Sequence, residues 1–170
     1  AKYTAPVVVD AIVERELEGL VPLAPLHNTM ALIGMRAARA NWPGVPQVAV
    51  FDTAFHASMP EHAARYAVPA AWEEAGLRRY GFHGLSHQHV MEACADRLSR
   101  PSRELRIVSC HLGSGASVCA IDGGHSIDTS MGLTPLEGVV MATRSGDLDP
   151  GAVGFLVRTL GMSQEDIEQS

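Results

Sequence analysis

Cysteine is scarce in this chain of 170 residues, and its spacing argues against two common uses of it. The three thiols, Cys94, Cys110 and Cys119, are odd in number and form no CxxC pair. A disulfide framework and a cysteine zinc site are therefore disfavoured, and a reducing cytoplasm is the expected setting. Cys110 and Cys119 lie in apolar strand-like runs and are read as inert buried thiols. Basic runs are lacking too: 13 Lys and Arg are scattered against 19 Asp and Glu, for a net charge of -6. Neither nucleic acid nor an anionic membrane is an expected partner, whereas a small anion needs only one or two placed cations. No segment approaches the roughly 18 uninterrupted apolar residues of a membrane span. The start, Ala1-Lys2-Tyr3-Thr4, carries no initiator Met and no signal-peptide pattern, so it reads as internal. Neither internal repeats nor low-complexity segments are present.

What is there fits a globular protein, with 46% hydrophobic and 19% charged residues and enough length for one domain or parts of two. Val9, Ile12, Val13, Leu17 and Leu20 recur at helical spacing, and Pro22 and Pro25 end that helix. Asn28 is placed to cap a second helix running to about Trp42. Residues 47–51 read as a buried strand ending at Asp52, and 61–66 as a short helix. Residues 77–80 are strand-like, followed by a turn at 81–84 and a helix from Ser86 to about Leu98. Ser99-Arg-Pro-Ser-Arg103 is the best linker. Beyond it come strands over 105–112 and 116–121, a hairpin turn at Asp122-Gly-Gly124, and a third strand near Ser126. A helix over 152–160 stops at Gly161, and Ser163 to Asp166 resembles a capping box. Ending four residues after that start signal reads as truncation. The pattern predicts α/β architecture in two pieces, residues 1–101 and 102–170.

Three places carry residues suited to chemistry. In His111-Leu-Gly-Ser-Gly-Ala-Ser117, Gly113 and Gly115 flank Ser114, so backbone N–H groups can face an anion, with His111 and Ser117 as side-chain donors. The alternative is a plain glycine-rich hairpin between strands. Arg144 sits among small polar residues in Thr143-Arg-Ser-Gly-Asp-Leu-Asp-Pro150; it either grips a phosphate or carboxylate or pairs with Asp147 or Asp149. Asp52, at a strand end, either holds Mg²⁺ or caps a helix or turn. His83 and His87 have the i, i+4 spacing of a zinc pair, but His83 falls in the turn before the helix and no HExxH glutamate follows. His56, His62, His87, His89 and His125 are read as structural or solvated.

Taken in order, six stretches resemble the acetate kinase family. They are Pro22 to Asn28, Val48 to His56, Arg79 to His87, His111 to Ser117, Asp128-Thr-Ser-Met-Gly-Leu-Thr-Pro-Leu-Glu-Gly138, and Thr143 to Pro150. The resemblance covers nearly the whole chain and implies the actin-like ATPase (ribonuclease H-like) fold, two related α/β domains with only part of each here. It implies Mg²⁺-dependent (or Mn²⁺-dependent) phosphoryl transfer between ATP and acetate, giving acetyl phosphate and ADP, in a cytoplasmic homodimer. Propionate or another short-chain acid is the alternative acceptor, and a non-catalytic fragment keeping the fold is the alternative role. By matching position the resemblance puts Asp52 at the metal, directly or through water, and His83 and Arg144 on the phosphoryl group. It puts Leu26, Phe82 and Pro135 at the acetate methyl, with His27 nearby, and His111, Gly113, Ser114 and Gly115 at the nucleotide phosphates. The chain departs from the family pattern at Ser114, where Asn or Gly is usual, at Thr29 and Met30, where a Pro-Ala pair is usual, and at Ala142, where Gly is common. The family's N-terminal phosphate segment, second arginine, adenosine-binding glycine segment and distal glutamate are not found, so the isolated chain is expected neither to bind ATP tightly nor to turn over.

Overall fold

A computed structural model describes residues 3–21 and 25–169, the side chains of 25, 26, 164, 168 and 169 excepted. The first half is helical. Strand β1 (Val7–Val8) leads into α1 (Ala11–Gly19), whose first turn is closed by Asp10 Oδ1 accepting the N–H groups of Ile12 and Val13, both at 2.8 Å. The next helix, α2 (Pro25–Asn41), starts at the proline rather than at Asn28, since a fixed φ and a missing N–H suit a first helical turn. Asn28 instead donates through Nδ2 to the carbonyl of Leu20 at 2.7 Å, tying α2 back to the end of α1. Glu14 on α1 pairs with Arg36 and Arg39 on α2.

Residues 47–51 are not the buried strand their composition suggests. Only β2 (Val48–Ala49) is extended in a ladder, paired antiparallel with the two residues of β1. Val48 and Val50 are half or more exposed, because a two-residue partner covers neither face. After β2 come a 3-10 turn (Ala54–Ser58), α3 (Glu61–Ala64) and α4 (Ala70–Glu74). Residues 77–80 do not form a strand either. Two of their amides go elsewhere: Arg79 N–H to Ala64 O at the end of α3, at 2.8 Å, and Tyr80 N–H to Gly132 O at 3.0 Å.

Helix α5 (Gly84–Leu98) follows, and its buried stripe His87, Met91 and Ala95 keeps the i, i+4 spacing that puts residues on one face. A 3-10 turn at Ser102–Glu104 occupies the linker. Then β3 (Arg106–Leu112), β4 (Ala116–Asp122) and β5 (His125–Thr129) make a three-stranded antiparallel meander in the order β3-β4-β5. Gly113, Ser114 and Gly115 form the connection between the pair Leu112 and Ala116. The inward face of this sheet meets α5 and the 54–58 turn. Met91, Cys119 and Ile121 form one buried cluster with Phe55 and Ile107 against it, while Ala116, Met131 and Met141 form a second with Phe82 and Val139. Cys119 is buried as expected, but Cys110 is exposed. Strand alternation explains the difference: Ile107, Ser109 and His111 face in, so Val108, Cys110 and Leu112 face out. Helices α6 (Pro150–Leu160) and α7 (Gln164–Gln169) complete the chain. Gly161 stops α6 at a φ of 66°, and Ser163 and Asp166 cap α7 reciprocally. Among the described residues no helix is long and apolar enough to cross a membrane.

A close contact ties the start of α5 to the segment after β2. Gly84 N–H donates to Asp52 O at 2.8 Å, so closely that an added Cβ would lie 2.3 Å from that carbonyl oxygen. The obstacle is backbone and cannot rotate away. Gly84→Ala is therefore expected to cost about 1–3 kcal/mol, by analogy with overpacked cores. The urea midpoint should fall with the m-value unchanged; an unaltered midpoint would mean that Asp52 and α5 are not held together as described.

Candidate active site

His83 is the residue around which the site is built. It precedes α5 in the left-handed region, with φ 59° and ψ 24°. That conformation costs a non-glycine residue on the order of 1–3 kcal/mol and persists only where the surroundings hold it. Asp52 Oδ2 holds the backbone, accepting the His83 N–H at 2.6 Å. Ser117 Oγ holds the ring, 2.9 Å from Nδ1, and the His111 imidazole stacks on it with centroids 3.9 Å apart and planes at 22°. Burial, then repulsion from His111, keeps the His83 pKa below the ordinary histidine value. Both causes favour the uncharged ring.

Arg144 approaches the same place from the loop after β5. Its Nη1 donates to Pro135 O at 2.7 Å. Its Nη2 lies so near the glycine loop that a Cβ added at Gly115 would sit 2.8 Å from it, and 3.4 Å from His83 Nε2 and Cε1. Gly115 leaves room for that approach rather than serving a special backbone angle, since neither it nor Gly113 has a positive φ. Arg144 pairs with neither Asp147 nor Asp149 among the described residues. Asp147 Oδ1 accepts the Gly138 N–H and Asp149 caps α6, each at 2.8 Å.

The expected residues divide into those gathered here and those that are not. Asp52, His83, Arg144, His111 and the loop 113–115 are brought together. Asp52 also acts as the cap foreseen as its alternative, but through one oxygen only; among the described residues Oδ1 has no hydrogen bond. Gly113 N–H closes the hairpin onto Gly115 O at 3.0 Å, and Ser114 O accepts from Ala142 N–H at 3.1 Å. Among the described residues the N–H groups of Ser114 and Gly115 have no partner. Phe82 packs on Ala116, Met131 and Met141 beside the loop, and Pro135 positions Arg144. His27 is exposed on α2, which packs on α1, and no described contact brings it to this cluster. The Leu26 side chain lies outside the described residues. No group of three or more His, Cys, Asp or Glu suited to a metal occurs among the described residues. His83 and His87 instead both turn to Ser117.

Sequence reading missed two arrangements. Ser117, expected as a donor to a ligand, is wholly buried and lies between His83 Nδ1 and His87 Nε2 at 2.9 and 2.8 Å. Behind it, His87 Nδ1 is 3.0 Å from Ser109 Oγ, and burial pushes His87 down to a pKa of about 4. The available signal was the alternation that puts Ser109 and Ser117 on inward strand positions opposite a helical histidine. The second is Arg79, which pairs with Glu137 at 2.6 Å and donates from Nη1 to the carbonyls of Thr129, Ser130 and Met131, each at 3.2 Å. The Tyr66 hydroxyl donates to Glu137 and accepts from Leu133 N–H at 3.0 Å. Burial and that carboxylate push its pKa up to about 12. This network pins the 129–138 segment, and with it Pro135, against residues 79–81.

An uncharged imidazole, a fixed guanidinium, a half-satisfied carboxylate and two turn amides converge in an α/β fold. Donors and charges of that kind suit a small polyanion. Comparison with known proteins places the chain within one family. The family model described as the acetokinase family matches residues 1–170, and the chain belongs to that family. It is 54% identical to an acetate kinase of Deinococcus radiodurans and 53% identical to one of a Synechococcus strain, each over 98% of this chain and 42% and 41% of theirs. Among solved structures it superposes on a propionate kinase of Francisella tularensis with a TM-score of 0.92 at 42% identity, covering 98% of this chain and 43% of that one. The Porphyromonas gingivalis acetate kinase gives 0.91 at 44% identity, covering 98% and 42%. The chain thus spans about two fifths of the length of these relatives, and over that span its mixed α/β fold is theirs.

Proposed function

We propose that the chain forms part of an enzyme that transfers a phosphoryl group between ATP and acetate, with acetyl phosphate and ADP as products. The convergence of Arg144 Nη2 and the His83 Nε2 edge on Gly115 carries this reading. In a loose phosphoryl-transfer transition state charge spreads over three oxygens, so positioning and charge stabilisation dominate. Arg144 supplies a permanent charge from a guanidinium whose other arm is anchored on Pro135 O. His83 supplies a neutral ring edge beside it. The amides of Ser114 and Gly115, next to His111, offer donors to a nucleotide phosphate.

Asp52 suits Mg²⁺, which ordinarily takes one or two carboxylates and fills its other positions with phosphate oxygens and water. Oδ1 is the atom for that role, directly or through water, because Oδ2 holds the His83 N–H. Bound there, the cation would supply neutralisation of phosphate charge; Mn²⁺ satisfies the same ligand. Phe82, Pro135 and Leu26, with His27 nearby, are the proposed surroundings of the acceptor's methyl group. A pocket of that kind separates acetate from propionate by only about 1–3 kcal/mol per methylene. The Francisella likeness keeps propionate as the second acceptor to be assayed. The proposal extends to a cytoplasmic homodimer divided into domains at residues 101 and 102.

The test sets this segment in a chain of its relatives' full length and traps acetyl phosphate with hydroxylamine. Acetyl hydroxamate should form only when acetate, ATP and a divalent cation are all supplied. No hydroxamate from acetate or propionate, in a folded protein, would sink the reading.

A further inference from the structure

Behind His83 runs an unbroken chain of two rings and two hydroxyls: His83 Nδ1, Ser117 Oγ, His87 Nε2, then His87 Nδ1 and Ser109 Oγ, at 2.9, 2.8 and 3.0 Å. Ser117 and His87 are fully buried and Ser109 is 2% exposed, so each hydrogen in the chain must find its acceptor within the protein. Each serine has one hydrogen, and a neutral imidazole has one. That arithmetic leaves three arrangements.

If both rings donate to Ser117, its own hydrogen points nowhere. If His83 Nδ1–H donates to Ser117 and Ser117 donates to His87, then His87 must donate from Nδ1 to Ser109. The Ser109 hydrogen is then orphaned, because among the described residues Ser109 Oγ has no other hydrogen-bond partner. Only the third order satisfies every hydrogen: Ser109 O–H donates to His87 Nδ1, His87 Nε2–H to Ser117 Oγ, and Ser117 O–H to His83 Nδ1. A buried donor without a partner costs about 1–3 kcal/mol, so the third order is the stable one.

We infer that Ser109, His87 and Ser117 are positioning residues that fix His83 as the Nε2–H tautomer, a hydrogen-bond donor presented beside Gly115 and Arg144. The inference rests on the proposed site only for its use; the tautomer itself follows from burial and geometry. In functional terms, the ring would donate to a phosphoryl oxygen rather than accept a proton from a substrate. A donor adds no charge next to the Arg144 guanidinium. His111, stacked on the same ring, is held separately through Nδ1 by Ser86 Oγ at 2.9 Å and does not enter the chain.

The experiment is nitrogen-15 NMR of histidine-labelled protein, reading two-bond correlations from the ring carbons, with His83 assigned from the signals that His83→Asn loses. The expected result is a single pattern for His83, with Nε2 protonated and Nδ1 bare. Ser117→Ala should abolish that single pattern, Ser109→Ala should turn it into a mixture of tautomers, and Ser109→Thr, which keeps the hydroxyl, should restore it. A protonated Nδ1 in the unsubstituted protein overturns the inference without reference to any variant. So does an unchanged His83 pattern in folded Ser117→Ala. These readings do not depend on turnover: a protein that makes no acetyl phosphate yet shows the Nε2–H pattern would refute the proposed reaction and leave the relay standing.

Discussion

In the proposed reaction, Arg144→Ala is expected to lower kcat by about 10³- to 10⁵-fold, the range an arginine contributes in other phosphoryl transferases. The guanidinium is anchored through Nη1 to Pro135 O, which leaves Nη2 at the glycine loop with its direction already fixed. Its position is set before substrate arrives, so the charge is worth most where it develops in the transition state. Arg144→Lys should recover only part of the loss. A lysine keeps the charge but cannot donate to Pro135 and to a phosphoryl oxygen in the same plane. Steady-state kinetics on the segment in its full-length frame would separate the effects. A large fall in kcat with KM changed little marks a group that acts in the transition state. If Arg144→Ala stayed within ten-fold of the unsubstituted enzyme, the guanidinium would be a strut for the Pro135 loop and no more.

The second large effect is on stability in mild acid. His87 has a pKa of about 4 in the folded protein against an ordinary 6.5, chiefly because it is desolvated. His56 is shifted in the same direction for the same first reason. Its ring lies between Ser126 Oγ at 2.8 Å and Phe82 O at 3.0 Å. A base with a depressed folded pKa is protonated more readily in the unfolded chain. The stability it contributes is therefore complete above pH 6.5 and drains away as pH falls from 6.5 towards 4. For His87, which is wholly buried, the loss amounts to about 3 kcal/mol once that window is crossed. Urea denaturation at half-unit steps from pH 7.5 to 5 should show the decline beginning near 6.5. His87→Gln should be less stable at pH 7.5 but lose less between 7.5 and 5. A flat profile, or equal slopes for the two proteins, would show that the ring is not excluded from water.

The meander could be read in advance because each strand carries its own local evidence. Alternation over 105–112 and 116–121 and the Asp122-Gly-Gly124 turn locate it to within a residue or two. Helix α5 was equally plain, and His83 lies in the turn before it as its glycine neighbour indicated. Residues 47–51 misled because a run of Val, Ala and Phe satisfies strand chemistry whether or not a long partner exists. The partner here is two residues long. Cys110 misled through its apolar neighbours, although the inward Ser109 and His111 on either side settle its direction. The candidate site was legible as a set of stretches, but the bonds that build it were not. Ser117 lies 34 residues from His83 and 30 from His87, and Arg79 lies 58 from Glu137. No spacing rule reaches across such intervals. Only the strand register, in which His111 faces Ser117 and Leu112 faces Ala116, decides which polar groups turn inward.

The left-handed turn at His83 puts two selective demands on a single position. The backbone there favours Gly and, among other residues, Asn, Asp or His, and the ring's neighbours prefer an imidazole. Substitutions at 83 therefore sort along two independent axes. Asparagine keeps the chain's course and forfeits the ring edge, whereas a β-branched residue forfeits both. A lineage that abandoned the chemistry but kept the fold would be free to drift here towards Gly or Asn. The residue at this one turn would thus record, for any member of the family, which of the two demands is still enforced.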